Sequence, residues 1–181
     1  MARLPEIRTE RLRLIPLSPM DAADITLLIT DWDVIRMLAR APYPYTIDDA
    51  RAWLAKAKDY PWEYAIYADR FMGVVGITGH LGYWLGKPFW GQGYMTEAAG
   101  GLVDAYFSKT RADQIVSGAF ADNPASQGVL RKLGFAETGR SRCQCPARGG
   151  EVDHIDMILS RADWRLCRDR SDVSNRMDTA R

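Results

Sequence analysis

Trp90-Gly91-Gln92-Gly93-Tyr94-Met95-Thr96-Glu97-Ala98 is the stretch on which the reading of this 181-residue chain turns. It separates two patterns. Upstream, Trp62 to Tyr67, Phe71 to Thr78 and Leu81 to Leu85 are short strand-like runs divided by Asp69-Arg70 and Gly79-His80, which predicts successive antiparallel strands. Downstream, Thr96 to Lys109 carries Ala98, Leu102, Ala105 and Tyr106 at helical spacing. A glycine-rich turn that opens a helix presents unpaired backbone N–H groups at the positive end of the helix dipole, a ready site for phosphate or pyrophosphate. The same GxG also reads as a tight turn that needs φ > 0 and binds nothing. No GxxxxGKS/T is present, and the third glycine of GxGxxG is missing, which argues against a P-loop hydrolase and a Rossmann dehydrogenase.

Working outward, Thr9 to Leu17 (TERLRLIPL) reads as a first strand with one buried face. Ser18 to Thr30 follows as a helix capped by Ser18, with Pro19 at its first position, and Asp33 to Ala39 as a second, short one. Ala41-Pro42-Tyr43-Pro44-Tyr45 is an extended linker, because each proline fixes its own φ and disfavours helix in the residue before it. Thr46 caps a helix running to about Asp59. Beyond the glycine turn come a strand at Gln114 to Ala121, a helix at Asn123 to Leu133, and strands at Phe135 to Cys145 and Val152 to Leu159. This order predicts an α/β (α+β) domain over residues 1–164 with a largely antiparallel sheet, followed by a polar basic tail over 165–181.

Composition narrows the function. A formal charge of +1 lacks the unbalanced Lys and Arg that duplex binding needs, so direct DNA binding is disfavoured. The charged amino terminus has no signal-peptide core, so a cytoplasmic protein is expected. Phe71 to Thr96 is cut by seven glycines, His80, Lys87 and Pro88, and is no membrane span. Three cysteines, Cys143, Cys145 and Cys167, imply no disulfide framework, and with two histidines no metal site is expected.

The turn gains meaning from Asn123-Pro124-Ala125-Ser126-Gln127-Gly128-Val129-Leu130-Arg131-Lys132-Leu133-Gly134-Phe135. Together the two segments resemble the GNAT superfamily of acyl-CoA-dependent N-acetyltransferases. GYWLGKPFWGQGYMTEA looks closest to the branch containing the Rim-type ribosomal-protein N-terminal acetyltransferases, as do TERLRLIPL, TIDDARAWL and Asp163-Trp164. Trp90 stands where the superfamily usually has Gln or Arg, and Met95 where it has a small residue. The resemblance implies a mixed, mostly antiparallel six- to seven-stranded sheet flanked by about four helices. It also implies acetyl-CoA as cosubstrate, no metal, an amine acceptor such as a ribosomal-protein N-terminus, and a homodimer.

By the same resemblance, Trp84 and Leu85 offer strand-edge backbone bonds to the pantetheine arm, in the manner of β-augmentation. Trp90, Gly91, Gln92, Gly93, Tyr94, Met95 and Thr96 surround the pyrophosphate. Asn123 contacts the cofactor, Ser126 protonates the departing thiolate, and Arg131 and Lys132 reach the 3′-phosphate. Leu85 N–H meets the oxyanion. Glu97 reads as a helix first-turn carboxylate rather than a base. Relatives place a Glu on the sixth strand, but Ser141-Arg142-Cys143-Gln144-Cys145 has none. Glu151, Asp153, His154 or a held water remain as bases, His154 having the most suitable ordinary pKa. A Cys145 acyl-enzyme has no evident activating partner. Trp32, Tyr43, Tyr45 and Trp53 are expected to line or support the acceptor pocket, where aromatics at such spacing also serve as core. Two other classes fit the sequence: a non-catalytic CoA-binding module on the same fold, and a ribosome-associated accessory protein using the basic tail.

Overall fold

The structure is a computed structural model that describes residues 5–168. Two short strands, β1 (Ile7–Arg8) and β2 (Arg13–Pro16), lead into a 3-10 turn at Pro19–Asp21 and helices α1 (Ala22–Ile29), α2 (Trp32–Ile35) and α3 (Ile47–Ala57). Ser18 and Thr46 each close a capping box, with Asp21 and Asp49 returning a side-chain bond to the cap's backbone. A meander of β3 (Glu63–Tyr67), β4 (Phe71–Ile77) and β5 (Leu81–Leu85) precedes α4 (Tyr94–Lys109). Then come β6 (Gln114–Phe120), α5 (Pro124–Lys132), β7 (Ala136–Cys145) and β8 (Gly150–Ser160).

The mixed class and antiparallel pairing agree with expectation, but among the described residues the strands number eight and lie in two sheets, β1-β2-β3-β4-β5 and β6-β8-β7. The extra strand is β1, two residues long and paired to β2 through Ile7↔Leu14 and Arg8↔Arg13. The division arises because β5 and β6 are joined by the α4 crossover and form no ladder. One bond spans them, from Ser117 Oγ to the Leu81 carbonyl, at 2.8 Å.

Both faces of the five-stranded sheet are covered. Tyr64, Ile66, Met72, Val75 and Leu81 pack with Ala98, Leu102 and Phe107 of α4 and with Met157 and Leu159 of β8. On the opposite face Ala65, Phe71 and Val74 meet Ile25 and Ile29 of α1 and Ala50 and Leu54 of α3. β4 is therefore buried along its whole length, which explains its uninterrupted apolar run.

Residues 161–168 form a further helix, so order continues past the expected boundary at 164; the tail beyond 168 lies outside the described residues. Arg161 donates to the carbonyls of Phe107, Thr110 and Ala112, satisfying groups at the end of α4. Trp164 Nε1 donates to Asp104 at 2.6 Å.

The start of α4 is fastened to the β1–β2 hairpin by one carboxylate. Glu97 accepts from Thr9 Oγ1 at 2.6 Å, Arg11 N at 2.7 Å and Arg11 Nε at 2.6 Å. Burial alone raises the Glu97 pKa, but the bonds from Thr9 and Arg11 outweigh it and hold the group below its ordinary 4.5. A carboxylate with a lowered folded-state pKa contributes stability that is present above the unfolded value and lost as pH falls through the folded one. Glu97→Gln is therefore expected to unfold with about 1.5–3 kcal/mol less stability at pH 7, the range for hydrogen bonds to a charged group. The gap should close below pH 4.5, the ordinary value of the group, in urea titrations run across pH.

Candidate active site

The glycine turn has the geometry that anion binding requires. Gly91 and Gly93 have φ of 74° and 78°, both in the left-handed region. Gly93 is the N-cap of α4 and no side chain caps the helix, so the N–H groups of Tyr94, Met95 and Thr96 have no intrahelical acceptor. Met95 is buried in the core, so its bulk points away from the turn. Gln92 donates to the Pro88 carbonyl at 3.2 Å, and its own carbonyl accepts from Arg11 Nη1 at 3.1 Å. The Arg11 guanidinium lies 4.6 Å from the Tyr94 ring centroid. A small recess beside the turn is lined by Glu10, Arg11, Gly93, Thr96, Glu97 and Lys132, two carboxylates beside two cations. Arg11 escaped the sequence reading because nothing local links a residue in the β1–β2 turn to a turn 81 positions away.

Along β5 the structure distinguishes two residues that the sequence reading grouped. Gly86 N donates to the Met72 carbonyl at 2.9 Å, and Val74↔Trp84 is the next pair in that alternation. Trp84 therefore directs its N–H and C=O into β4, while Leu85 faces the unpaired edge. This corrects the expectation of a Trp84 backbone donor; its ring instead packs against Phe71 and lines the cleft. The Leu85 carbonyl accepts from Trp90 Nε1 at 2.8 Å, which leaves the Leu85 N–H as the outward donor. The indole of Trp90 thus organises the strand edge.

Asn123 caps α5 by accepting from Ser126 N at 3.1 Å, and Pro124 occupies the first helical position. Gln127 Nε2 donates to the carbonyls of Phe120 and Ala121, pinning α5 to the end of β6. Ser126 Oγ lies 3.0 Å from the hydroxyl of Tyr83, which also donates to the Ser126 carbonyl at 3.1 Å. Burial pushes the Tyr83 hydroxyl up to about 12, so it remains protonated at neutral pH. Tyr83 is a second site residue that sequence reasoning missed. Lys132 faces both the recess and the main cleft, whereas Arg131 donates to Gln127 at 3.3 Å and lines neither.

The turn, the β5 edge and Ser126 open into one cleft of about 1300 Å³. Tyr45, Trp53, Glu63, His80, His154 and Asp156 line it further in, whereas Trp32 and Tyr43 pack edge to face with each other, 5.5 Å apart, outside the lining. His154 Nδ1 is 2.9 Å from Asp156 Oδ1, which also accepts from Ser141 Oγ at 2.9 Å. Glu151 and Asp153 are turned outward, each 3.2 Å from Arg142, and neither lines the cleft. Cys145 is fully buried, its thiol donating to the carbonyls of Arg36 and Leu38. Among the described residues no group of three or more His, Cys, Asp or Glu is placed to hold a metal, and no helix is long and apolar enough to cross a membrane.

Residues 11–136 match the acetyltransferase (GNAT) domain family. "Probable N-acetyltransferase YjcK" of Bacillus subtilis is 30% identical over 143 residues, covering 70% of this chain and 79% of that protein. "Putative ribosomal N-acetyltransferase YdaF" of the same organism is 29% identical over 90 residues, covering 50% of this chain and 49% of the relative. The ribosomal L7/L12 alpha-N-protein acetyltransferase RimL, solved in complex with coenzyme A, shares the fold at a TM-score of 0.74 and 20% identity, covering 86% of this chain and 98% of its own. With more than half of its length matched to the family and a 30% identical relative spanned over most of its length, the chain belongs to the GNAT acetyltransferases, enzymes whose acetyl donor is acetyl-CoA.

Proposed function

We propose that this enzyme transfers the acetyl group of acetyl-CoA to a primary amine by direct attack within a ternary complex. The observation that carries the reading is the convergence on one cleft of three donors: the unpaired N–H groups opening α4, the outward Leu85 N–H and the Ser126–Tyr83 hydroxyl pair. The turn from Gly91 to Thr96 binds the pyrophosphate through backbone N–H groups, with Arg11 and Lys132 supplying local positive charge. Asn123 holds the first turn of α5 so that Ser126 faces the sulfur. Leu85 N–H, fixed by the β5 ladder and by Trp90, is a preorganised donor to the carbonyl oxygen as negative charge develops there. Ser126, backed by the protonated Tyr83 hydroxyl, delivers a proton to the leaving thiolate. His154, oriented by Asp156, lines the acceptor side.

The acceptor chemistry supports an α-amino group. At pH 7 removing its proton costs about 1–1.5 kcal/mol, given a pKa of roughly 7.7–8.0, against about 4.6 kcal/mol for a lysine near 10.4. YdaF's description as a ribosomal N-acetyltransferase supports a ribosomal-protein N-terminus as the acceptor, and with it the cytoplasmic location expected from the sequence.

Calorimetric titration with acetyl-CoA is expected to give saturable heat and a raised melting temperature; absence of both overturns the reading. Gly93→Val forces a β-branched residue into φ of 78° and should weaken acetyl-CoA at least 10-fold, on the order of the 1–3 kcal/mol such strain costs. Ser126→Ala and Tyr83→Phe should each lower kcat about 10- to 100-fold while leaving acetyl-CoA affinity within about 3-fold, as loss of an acid acting mainly in the transition state does.

A further inference from the structure

An unused carboxyl and an unused imidazole flank a floor of bare backbone in the acceptor half of the cleft. Glu63 of β3, Gly76 of β4 and Gly82 of β5 are register partners in a row across three strands and share one face. A Cβ at Gly76 would stand 2.5 Å from Glu63 Cγ, and one at Gly82 would stand 3.7 Å from His80 Nε2. Glu63 thus lies against Gly76 from one side and His80 beside Gly82 from the other, flanking a strip of the sheet where two side chains are missing. Neither side chain forms a hydrogen bond or ion pair among the described residues, although both line the cleft.

We propose, on the basis of the amine-acetylation reading above, that Glu63 is the catalytic base that takes the proton from the acceptor ammonium, with His80 across the glycine floor passing it on to solvent. The first ammonium proton moves to the Glu63 carboxylate and frees the nitrogen lone pair. That pair forms the C–N bond as the C–S bond breaks. The second nitrogen proton passes to Ser126 through solvent, restoring the proton that Ser126 with Tyr83 gives to the sulfur, so each turnover releases one proton to solvent, the one taken by Glu63.

The surrounding charges suit this role. Burial pushes Glu63 up to about 7, with Arg40 pulling it back down, while His80 is held below its ordinary 6.5 by burial, Arg40 and His154. The other carboxylate, cationic and imidazole groups lining the cleft are Asp33, Arg36, Arg40, Asp49, Lys56, Asp122, Lys132, His154 and Asp156. Above pH 7 both groups accept protons, and a base near the working pH is the most effective kind.

The test measures acetyl-CoA affinity by calorimetry and thiol release over pH 5.5–9 with a panel of primary amines. Wild-type kcat/KM should fall as pH drops through a limb near 7, where Glu63 becomes protonated. Glu63→Gln should keep its melting temperature and acetyl-CoA affinity, lose at least about 100-fold in kcat, and lose that limb. Glu63→Asp should recover part of the rate, and the deficit should shrink with an aromatic amine that is neutral throughout the range. If Glu63→Gln retains wild-type kcat and the limb while the wild type turns over, the assignment of the base is overturned and acetyl transfer stands. If the wild type binds acetyl-CoA but acetylates no amine, the functional reading fails and takes the base with it.

Discussion

Everything at the site depends on two neighbouring strands that do not pair. A β-strand edge carries a row of N–H and C=O groups that must be bonded or exposed to water. Between β5 and β6 these groups are met singly, by side chains instead of a ladder. Ser117 takes the Leu81 carbonyl at one end and Trp90 takes the Leu85 carbonyl at the other. Tyr83 bridges from β5 to Ser126 on the helix that follows β6. What remains is a slot with few uncommitted donors, Leu85 N–H among them. An extended amide-bearing ligand suits such a slot because it replaces the missing strand.

The charge balance around α4 follows from the same economy of donors. A carboxylate in the first turn ordinarily uses the helix dipole and would repel a phosphate. Here the charge of Glu97 is taken up by Thr9 and Arg11, and the Arg11 guanidinium also holds the Gln92 carbonyl. The hairpin therefore does two things. It secures the helix to the sheet, and it leaves the N–H groups of Tyr94 to Thr96 available to an anion. A chain with a net charge of +1 can thus offer an anion a local site, because the groups exposed at the turn are backbone dipoles and one or two cations.

The parts of this arrangement that the sequence made legible are those set by neighbours in the chain. Both capping boxes, the proline after Asn123, the antiparallel meander and the glycine turn follow from spacings of a few residues. Family resemblance then supplied the pairing of that turn with the Asn123 helix. What stayed hidden depends on strand register. Whether Trp84 or Leu85 faces the edge is decided by alternation against β4, and β4 approaches so closely at Gly73 that a Cβ there would overlap the Trp84 carbonyl. Tyr83 meets Ser126 across 43 residues, and Glu151 and Asp153 are removed as bases by Arg142 from a different strand. No local pattern carries such contacts.

The glycines show how one compositional signal divides into separate physical tasks. Nine fall between Gly73 and Gly101, and the turn that opens α4 accounts for only Gly91 and Gly93, which share left-handed backbone with Gly79 in the β4–β5 turn. Gly76 and Gly82 lie in strands, where glycine costs roughly 0.5–1 kcal/mol relative to alanine. Gly118 in β6 adds a third, and a Cβ there would overlap the His154 ring. Strand glycines whose absent side chains are replaced by Glu63, by His80 and by His154 form a pattern that core packing does not require. A packed core would fill those positions with methyl groups. Leaving them bare lowers the sheet surface beneath Glu63, His80 and His154, so that a fold with two apolar cores keeps a cleft lined by titratable groups.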